Sequence, residues 1–181
     1  MSQPSLRHLT ATGFIARGNR TLLHWHRKNQ LWLPFGGHIE PGEDPVQCVL
    51  REAEEETGIV CRVLHRAPEL DFSDPPQIPP PFTILVEQAS DGQMRHEHVD
   101  LIYFLVPADP ASEPDLTRDG TMRWFTREEL EAGAAVSVSE GQPPVVPPLD
   151  VRELGVAAIV AAKAASPAGR SAGRDAAGLR E

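Results

Sequence analysis

The sequence predicts an α/β fold in which a β-sheet packs between layers of helices. Strand-like apolar segments lie on both sides of one strongly helical segment near residues 45–57, and a second helical segment lies over residues 147–165. The chain has 181 residues, of which 40% are apolar and 24% charged, and this composition suits one domain with a substantial core. We therefore predict one domain over residues 1–165 and a disordered Gly/Ala/Arg-rich tail over residues 166–181.

Apolar runs bounded by turn residues predict the strands of the sheet. Gly18 and Asn19 form a turn between the first two strands, and Thr126 is placed to cap a short helix after the last one. The predicted strands cover residues 6–17, 20–27, 31–35, 59–66, 81–87, 96–106 and 122–125.

The first helical segment has start and stop residues at both of its ends. Asp44 is suited to cap the N-terminus, Pro45 suits the first helical position, and Gln47 completes a capping box. Gly58 ends the helix, because glycine readily adopts the left-handed conformation of a C-terminal cap.

Three glutamates share one face of this predicted helix, beside an apolar stripe that faces the core. Glu52, Glu55 and Glu56 repel one another at this spacing. A hard cation such as Mg²⁺ or Mn²⁺ offsets that repulsion, because it prefers oxygen ligands and commonly bridges carboxylates to substrate phosphates. For a glutamate run taken alone, the alternative is a solvated acidic face without a function.

The residues that flank the glutamates favour the metal site. The stretch from Gly37 to Ile59 resembles the Nudix box, GX5EX7REUXEEXGU, in which U is a bulky aliphatic residue. Ala53 occupies one U position, which costs some apolar volume and leaves the polar pattern intact. Further resemblance to the Nudix family extends over residues 6–165. The matching positions of the box are Gly37, Glu43, Arg51, Glu52, Glu55, Glu56, Gly58 and Ile59.

This resemblance implies a fold, a reaction and a cofactor. The implied fold is the Nudix α/β/α sandwich, with a mixed β-sheet between helices. The implied reaction is the attack of water on a phosphorus of a nucleoside diphosphate that is linked to another group. The implied cofactor is Mg²⁺ or Mn²⁺, and the implied partner is a small nucleotide-type substrate.

The resemblance also assigns roles to individual residues of the box. Glu52, Glu55 and Glu56 are the implied metal ligands, with the backbone carbonyl of Gly37 as a further one. Arg51 orients the carboxylates, and with Glu52 and Glu55 it forms the implied catalytic set. Glu52 is also the candidate base. In some family members the base lies outside the box, and the candidates for that role here are Glu97, Glu113 and Asp115.

Histidines are the second unusual feature of the sequence. Strand alternation places His96 and His98 on one face together with Asp100. We predict that His96 and His98 contact the substrate, with a satisfied structural role as the alternative. A zinc site is less favoured, because no cysteine pattern accompanies the histidines. Other candidates for the pocket near the phosphates are His24, His26 and His38.

Two further residues are predicted to contact the substrate. Arg27 is the cationic candidate. Phe35 is a candidate for stacking on a base, as are Trp32 and Trp124, although a buried core position is the commoner fate of such aromatic residues.

Composition excludes several classes of protein. The formal net charge of −9 and the scattered lysines and arginines argue against a groove for duplex nucleic acid. No segment has the roughly 20 apolar residues that cross a bilayer, and the N-terminus lacks the apolar region of a signal peptide. Cys48 and Cys61 show no disulfide or metal spacing. We expect a cytoplasmic protein without a membrane partner, and a homodimer is an expected assembly because family members often dimerise.

Two alternatives to a hydrolase remain open at this stage. The first is a catalytically silent module that senses nucleotides or mediates interactions on the same fold. The complete set of box carboxylates argues against it. The second is isomerisation of an isoprenoid diphosphate, which requires further acid/base groups such as a catalytic cysteine. The sequence leaves the identity of the substrate open.

Overall fold

The structure, a computed structural model, describes residues 6–65, 67, 68, 70, 74–90, 95–117 and 121–166. The predicted tail lies outside these residues from residue 167 onward. Within the described residues, no helix combines the length and the apolar character that crossing a bilayer requires. The strands are β1 (Leu6–Arg17), β2 (Arg20–His26), β3 (Leu31–Leu33), β4 (Phe35–His38), β5 (Cys61–Leu64), β6 (Thr83–Ser90), β7 (Arg95–Pro107) and β8 (Met122–Thr126). The helices are α1 (Pro45–Thr57), α2 (Arg127–Ala132) and α3 (Leu149–Ala165).

All eight strands belong to one mixed sheet. β1 and β7 run parallel at its centre, and the other pairings are antiparallel. On the side away from β7, β1 pairs with β2 through residues 15–17 at its C-terminal end and with β4 through residues 10–13 in its middle. The structure confirms the predicted mixed sheet between helical layers.

The two faces of the sheet carry separate cores. One core packs against α1 and includes Phe35, Cys48 and Val49. The other core packs against α3 and includes Phe14 and Phe104. Because side chains alternate along a strand, odd-numbered residues of β1 face α1 and even-numbered residues face α3.

The local signals at the ends of α1 are confirmed. The Asp44 carboxylate accepts hydrogen bonds from the backbone N–H groups of Val46 and Gln47, at 2.8 and 2.9 Å. The Gln47 side chain accepts in return from the Asp44 N–H at 2.9 Å, which completes the capping box. Gly58 caps the C-terminus with a φ of 75°, in the left-handed region.

One predicted strand is divided in the structure. The run from residue 31 to 35 forms the end of one strand and the start of another, because Pro34 lies between β3 and β4 and has no N–H to donate to a ladder. This division turns β4 away from β2 and onto β1. It thereby carries Gly36 and Gly37 to the surface of α1.

Candidate active site

Arg51 organises the acidic residues of the box. Its guanidinium donates to both carboxylate oxygens of Glu43, from Nε at 2.9 Å and from Nη2 at 3.0 Å. Nη1 donates to Glu52 at 2.8 Å and to Glu55 at 3.2 Å. These bonds lower the pKa of Glu43 and raise that of Arg51, so both groups stay charged. The structure therefore brings Arg51 against two of the three glutamates that the sequence singles out.

The third glutamate is fixed by the turn instead. The backbone N–H of Gly36 donates to the Glu56 carboxylate at 3.2 Å. Glu55 is the most solvated of the glutamates that Arg51 contacts, since 63% of its side chain is exposed against 18% for Glu52. Glu52 and Glu56, one helical turn apart, both lie against the Gly36–Gly37 backbone.

The absence of a side chain at Gly37 makes room for the Glu52 carboxylate. A Cβ built on Gly37 would overlap that carboxylate. The backbone carbonyl of Gly37 accepts a weak hydrogen bond from the Cys48 thiol at 3.7 Å and belongs to the same small region. Carboxylate and carbonyl oxygens are the donors that Mg²⁺ and Mn²⁺ prefer, so the residues present fit such an ion.

Alanine at the two neighbouring glycines should give different results. A Cβ on Gly37 meets the mobile end of Glu52, so Gly37→Ala should displace that carboxylate and lower kcat/KM with little loss of stability. A Cβ on Gly36 would lie 2.8 Å from the Thr12 Cα and collide with the Ala11 carbonyl. Gly36→Ala should therefore cost about 1–3 kcal/mol of unfolding free energy. Thermal melts and kinetics of both variants check this, and full activity of Gly37→Ala would contradict it.

A cleft of about 440 Å³ opens on the α3 side of the sheet and reaches the box at Glu56 and Gly36. This volume lies in the range of sites for small molecules. The hairpin formed by β2 and β3 supplies His24, His26 and Asn29 to its wall. The cleft therefore joins a box carboxylate to a space that can hold an organic ligand.

Carboxylates outside the box also line this cleft. Asp100 on β7 is 5% exposed and accepts a hydrogen bond from the Thr10 hydroxyl at 2.9 Å. Burial raises the pKa of Asp100, and the hydroxyls of Thr12 and Thr10 partly oppose that rise. Glu87 and Asp150 line the cleft as well. No sequence pattern singles out these last two, because pairing between distant strands and the packing of α3 bring them there.

The outside candidates for the base lie elsewhere. Glu97 bonds to Arg7 at 2.8 Å, and Glu113 bonds to Arg17 at 2.6 Å. The backbone N–H of Asp115 donates to the Thr57 carbonyl at the end of α1. None of these three described carboxylates lines the cleft.

The predicted substrate contacts are only partly brought together. His24 and His26 line the cleft, whereas His96 and His98 lie in a separate group of histidine rings. Arg27 is exposed in the turn after β2, and it lies in sequence between His26 and Asn29, which line the cleft. The structure corrects the stacking expectation for Phe35, because its ring is 1% exposed and packs in the core under α1. As a partner of Gly13 in the ladder, it shares the α1-facing side of the sheet.

The two cysteines are poor nucleophiles in this structure. Both are free and buried. Burial raises the pKa of the Cys48 thiol to about 12 and that of Cys61 to about 12, so neither forms a thiolate at neutral pH. This argues against the isomerase alternative, which requires a reactive cysteine.

Comparisons with known proteins agree with this geometry. The family model described as NUDIX domain matches residues 6–147. A hydrolase of the NUDIX family from Clostridium perfringens has a similar structure, with a TM-score of 0.67, 23% identity, and coverage of 85% of this chain and 97% of that one. A MutT protein from Methanosarcina mazei Go1 gives a TM-score of 0.54 at 14% identity, over 90% of this chain and 99% of that one.

A MutT NUDIX hydrolase from Burkholderia pseudomallei is similar over 84% of this chain and 98% of its own, with a TM-score of 0.51 and 17% identity. At these identities the structural likeness supports the fold, and the family model supports the family. The match covers most of the chain and includes the whole box with its Arg51-centred carboxylates. The chain therefore belongs to the Nudix family of pyrophosphohydrolases.

Proposed function

We propose that this protein is a metal-dependent hydrolase that cleaves a pyrophosphate bond in a nucleoside diphosphate linked to another group. The observation that carries the proposal is the position of Glu56, which belongs to the box and also lines the cleft. A ligand in the cleft would thus have its phosphates beside the carboxylates. The wall formed by His24, His26 and Asn29 offers polar groups and ring faces to the rest of the ligand.

In this proposal Glu52, Glu55 and Glu56 would hold Mg²⁺ or Mn²⁺ together with the Gly37 carbonyl, and Arg51 fixes the directions of Glu52 and Glu55. When bound there, the ion would supply positive charge against the pyrophosphate oxygens and would lower the pKa of the attacking water. Glu52 accepts the proton as the water oxygen bonds to one phosphorus. The bond from that phosphorus to the bridging oxygen then breaks, and the leaving phosphate keeps the electron pair. A cation is needed because the net charge of −9 repels an anionic substrate.

The composition and the thiols support the remaining parts of the proposal. The free, buried Cys48 and Cys61 suit a reducing compartment, as expected for the cytoplasm. The acidic chain suits a small-molecule substrate better than duplex nucleic acid. A homodimer, as is common among family members, belongs to the same proposal.

A substrate panel tests the proposed function. It contains sugar nucleotides, dinucleoside polyphosphates, nucleoside triphosphates, nucleotide coenzymes and capped RNA, each assayed with Mg²⁺ and with Mn²⁺. We expect release of phosphate species from at least one class, loss of that release in EDTA, and recovery when Mg²⁺ is restored. Nucleotide binding without phosphate release across the whole panel would favour the silent sensing module instead.

A further inference from the structure

Four histidine rings meet at one end of the sheet, and none of these four histidines lines the cleft. His8 Nδ1 lies 3.2 Å from His38 Nε2. One ring nitrogen each from His8, His38 and His98 can be chosen so that all three lie within 4.8 Å of one another. The His96 ring is 4.9 Å from the rings of both His8 and His98, measured between centroids. The rings therefore form one compact group rather than separate pairs.

The pairing of the strands explains why the rings converge. His8 on β1 is the direct partner of His98 on β7 in the parallel ladder. His38 on β4 pairs with Thr10, two residues after His8 on the same face of β1. The three side chains come from three strands, so the group is set by the folded sheet and is absent from any local segment. His8 stands far from the other histidines in sequence, and this is why periodicity did not reveal it.

The distances between nitrogens suit a shared metal ion. Tetrahedral zinc with bonds of about 2.0–2.1 Å to nitrogen has its ligand atoms about 3.3 Å apart. The pair His8–His38 at 3.2 Å is close to that spacing, and His98 brings a ring nitrogen within 4.8 Å of both. Hydrogen bonds between neutral imidazole rings have similar lengths, and such bonds explain contacts between two rings. They do not account for the approach of a third ring to the His8–His38 pair.

The environment of His98 also keeps its nitrogen lone pairs available. Burial lowers the pKa of His98, and the nearby rings of His38, His96 and His8 lower it further. A neutral imidazole is the form that binds metals. We propose that His8, His38 and His98 bind a divalent transition-metal ion of the zinc type, at a site separate from the box carboxylates.

The two sites differ in chemistry and in position. The box offers oxygen donors, which suit Mg²⁺ and Mn²⁺, whereas imidazole suits zinc and the later transition metals. Glu52 lies on α1, which covers one face of the sheet, and His8 shares the opposite face with Thr10 and Thr12. An ion held by the histidines would tie β1, β4 and β7 together. Zinc should therefore raise the melting temperature by mass action, since the unfolded chain has no such site.

Metal titration tests this site directly. The full chain, prepared without a polyhistidine tag, is titrated with Zn²⁺ against a chromophoric chelator, and Co²⁺ is used in parallel to record visible absorption. We expect His38→Ala and His98→Ala each to weaken zinc binding by at least about 10-fold. Even changes to the outer-shell partners of a metal site cost about 10–100-fold in affinity, and these two residues are proposed as direct ligands. His65→Ala, which removes an exposed histidine outside the group, should bind zinc as wild type does. Glu56→Gln should also retain the zinc site.

The outcomes separate this proposal from the proposed hydrolase. Equal zinc affinity in wild type and His38→Ala would overturn the histidine site, and so would loss of zinc binding in Glu56→Gln alone. His38 is exposed, so its variant should fold even if His98→Ala does not. Failure of the Mg²⁺-dependent hydrolysis assay would leave the zinc titration unaffected. An intense tetrahedral Co²⁺ spectrum that disappears in His38→Ala would support the proposal.

Discussion

Glu56→Gln should lower kcat by about 100-fold or more while the protein remains folded. The substitution removes a negative charge from a candidate metal ligand, and loss of one well-placed polar group commonly costs about 10²–10³ in kcat. Folding should survive, because the glutamine oxygen can still accept the hydrogen bond that the Gly36 N–H donates at 3.2 Å. Turnover is measured at saturating Mg²⁺, together with the melting temperature.

A matched control is available on the same helix. Glu54 is an exposed glutamate at a position of the box that has no required residue, so Glu54→Gln makes the same chemical change outside the proposed site. This control should keep most of the wild-type kcat. Wild-type turnover in Glu56→Gln, or an equal loss in both variants, would refute the assignment of Glu56.

Arg51→Lys should reduce both activity and stability. The guanidinium bonds to Glu43 through two nitrogens and also reaches Glu52, and these three side chains are 25%, 13% and 18% exposed. A lysine ammonium lacks the planar fork and cannot make this set of bonds at once. We expect a loss of roughly 1–3 kcal/mol in unfolding free energy, the range for hydrogen bonds to charged groups. Denaturant titration and kcat/KM measure the two effects.

A surface pair on α2 provides the comparison for Arg51. Arg127 bonds to Glu131 at 2.7 Å, and their side chains are 40% and 48% exposed. Exposed pairs of this kind contribute about 0–1 kcal/mol, so Arg127→Lys should leave stability and activity nearly unchanged. If Arg51→Lys behaved like this control, Arg51 would not organise the site.

The Arg51–Glu43 pair also has a signature in the pH dependence of stability. Arg51 lowers the pKa of Glu43 below its ordinary value of 4.5. The stabilisation is therefore fully present above pH 4.5 and is lost as the pH falls through the lowered value. In Arg51→Lys the pKa of Glu43 should return toward 4.5. As the pH falls through this range, the unfolding free energy of Arg51→Lys should therefore decrease by less than that of the wild type. Acid unfolding followed at a series of pH values measures this difference.

The features that the sequence predicted well are those set by neighbouring residues. The capping box of Asp44 and Gln47 and the stop at Gly58 act within one helix, and the structure confirms them. The carboxylate face of α1 follows from the same local periodicity. The second capping box, at Thr126 and Glu129, likewise lies within a few residues of chain.

The features that the sequence did not predict depend on contacts between distant segments. Phe35 was a candidate for stacking on a base, yet the pairing of β4 with β1 turns its ring into the core. Glu87 reaches the cleft only because β6 pairs with β7. His8 joins His98 through the register of parallel strands. A single sequence does not specify such registers, since periodicity fixes the face of a strand and leaves its partner open.

Calorimetric titration with Mg²⁺, in the presence of a nucleotide that the enzyme cannot cleave, tests the central claim most directly. Mg²⁺ is the right probe because it avoids imidazole and would report the carboxylates of α1. We predict saturable binding to wild type and to His38→Ala, with strong weakening in the double variant Glu52→Gln/Glu56→Gln. Equal Mg²⁺ binding by the double variant and the wild type, or no binding by either, would contradict a catalytic metal site at Glu52 and Glu56.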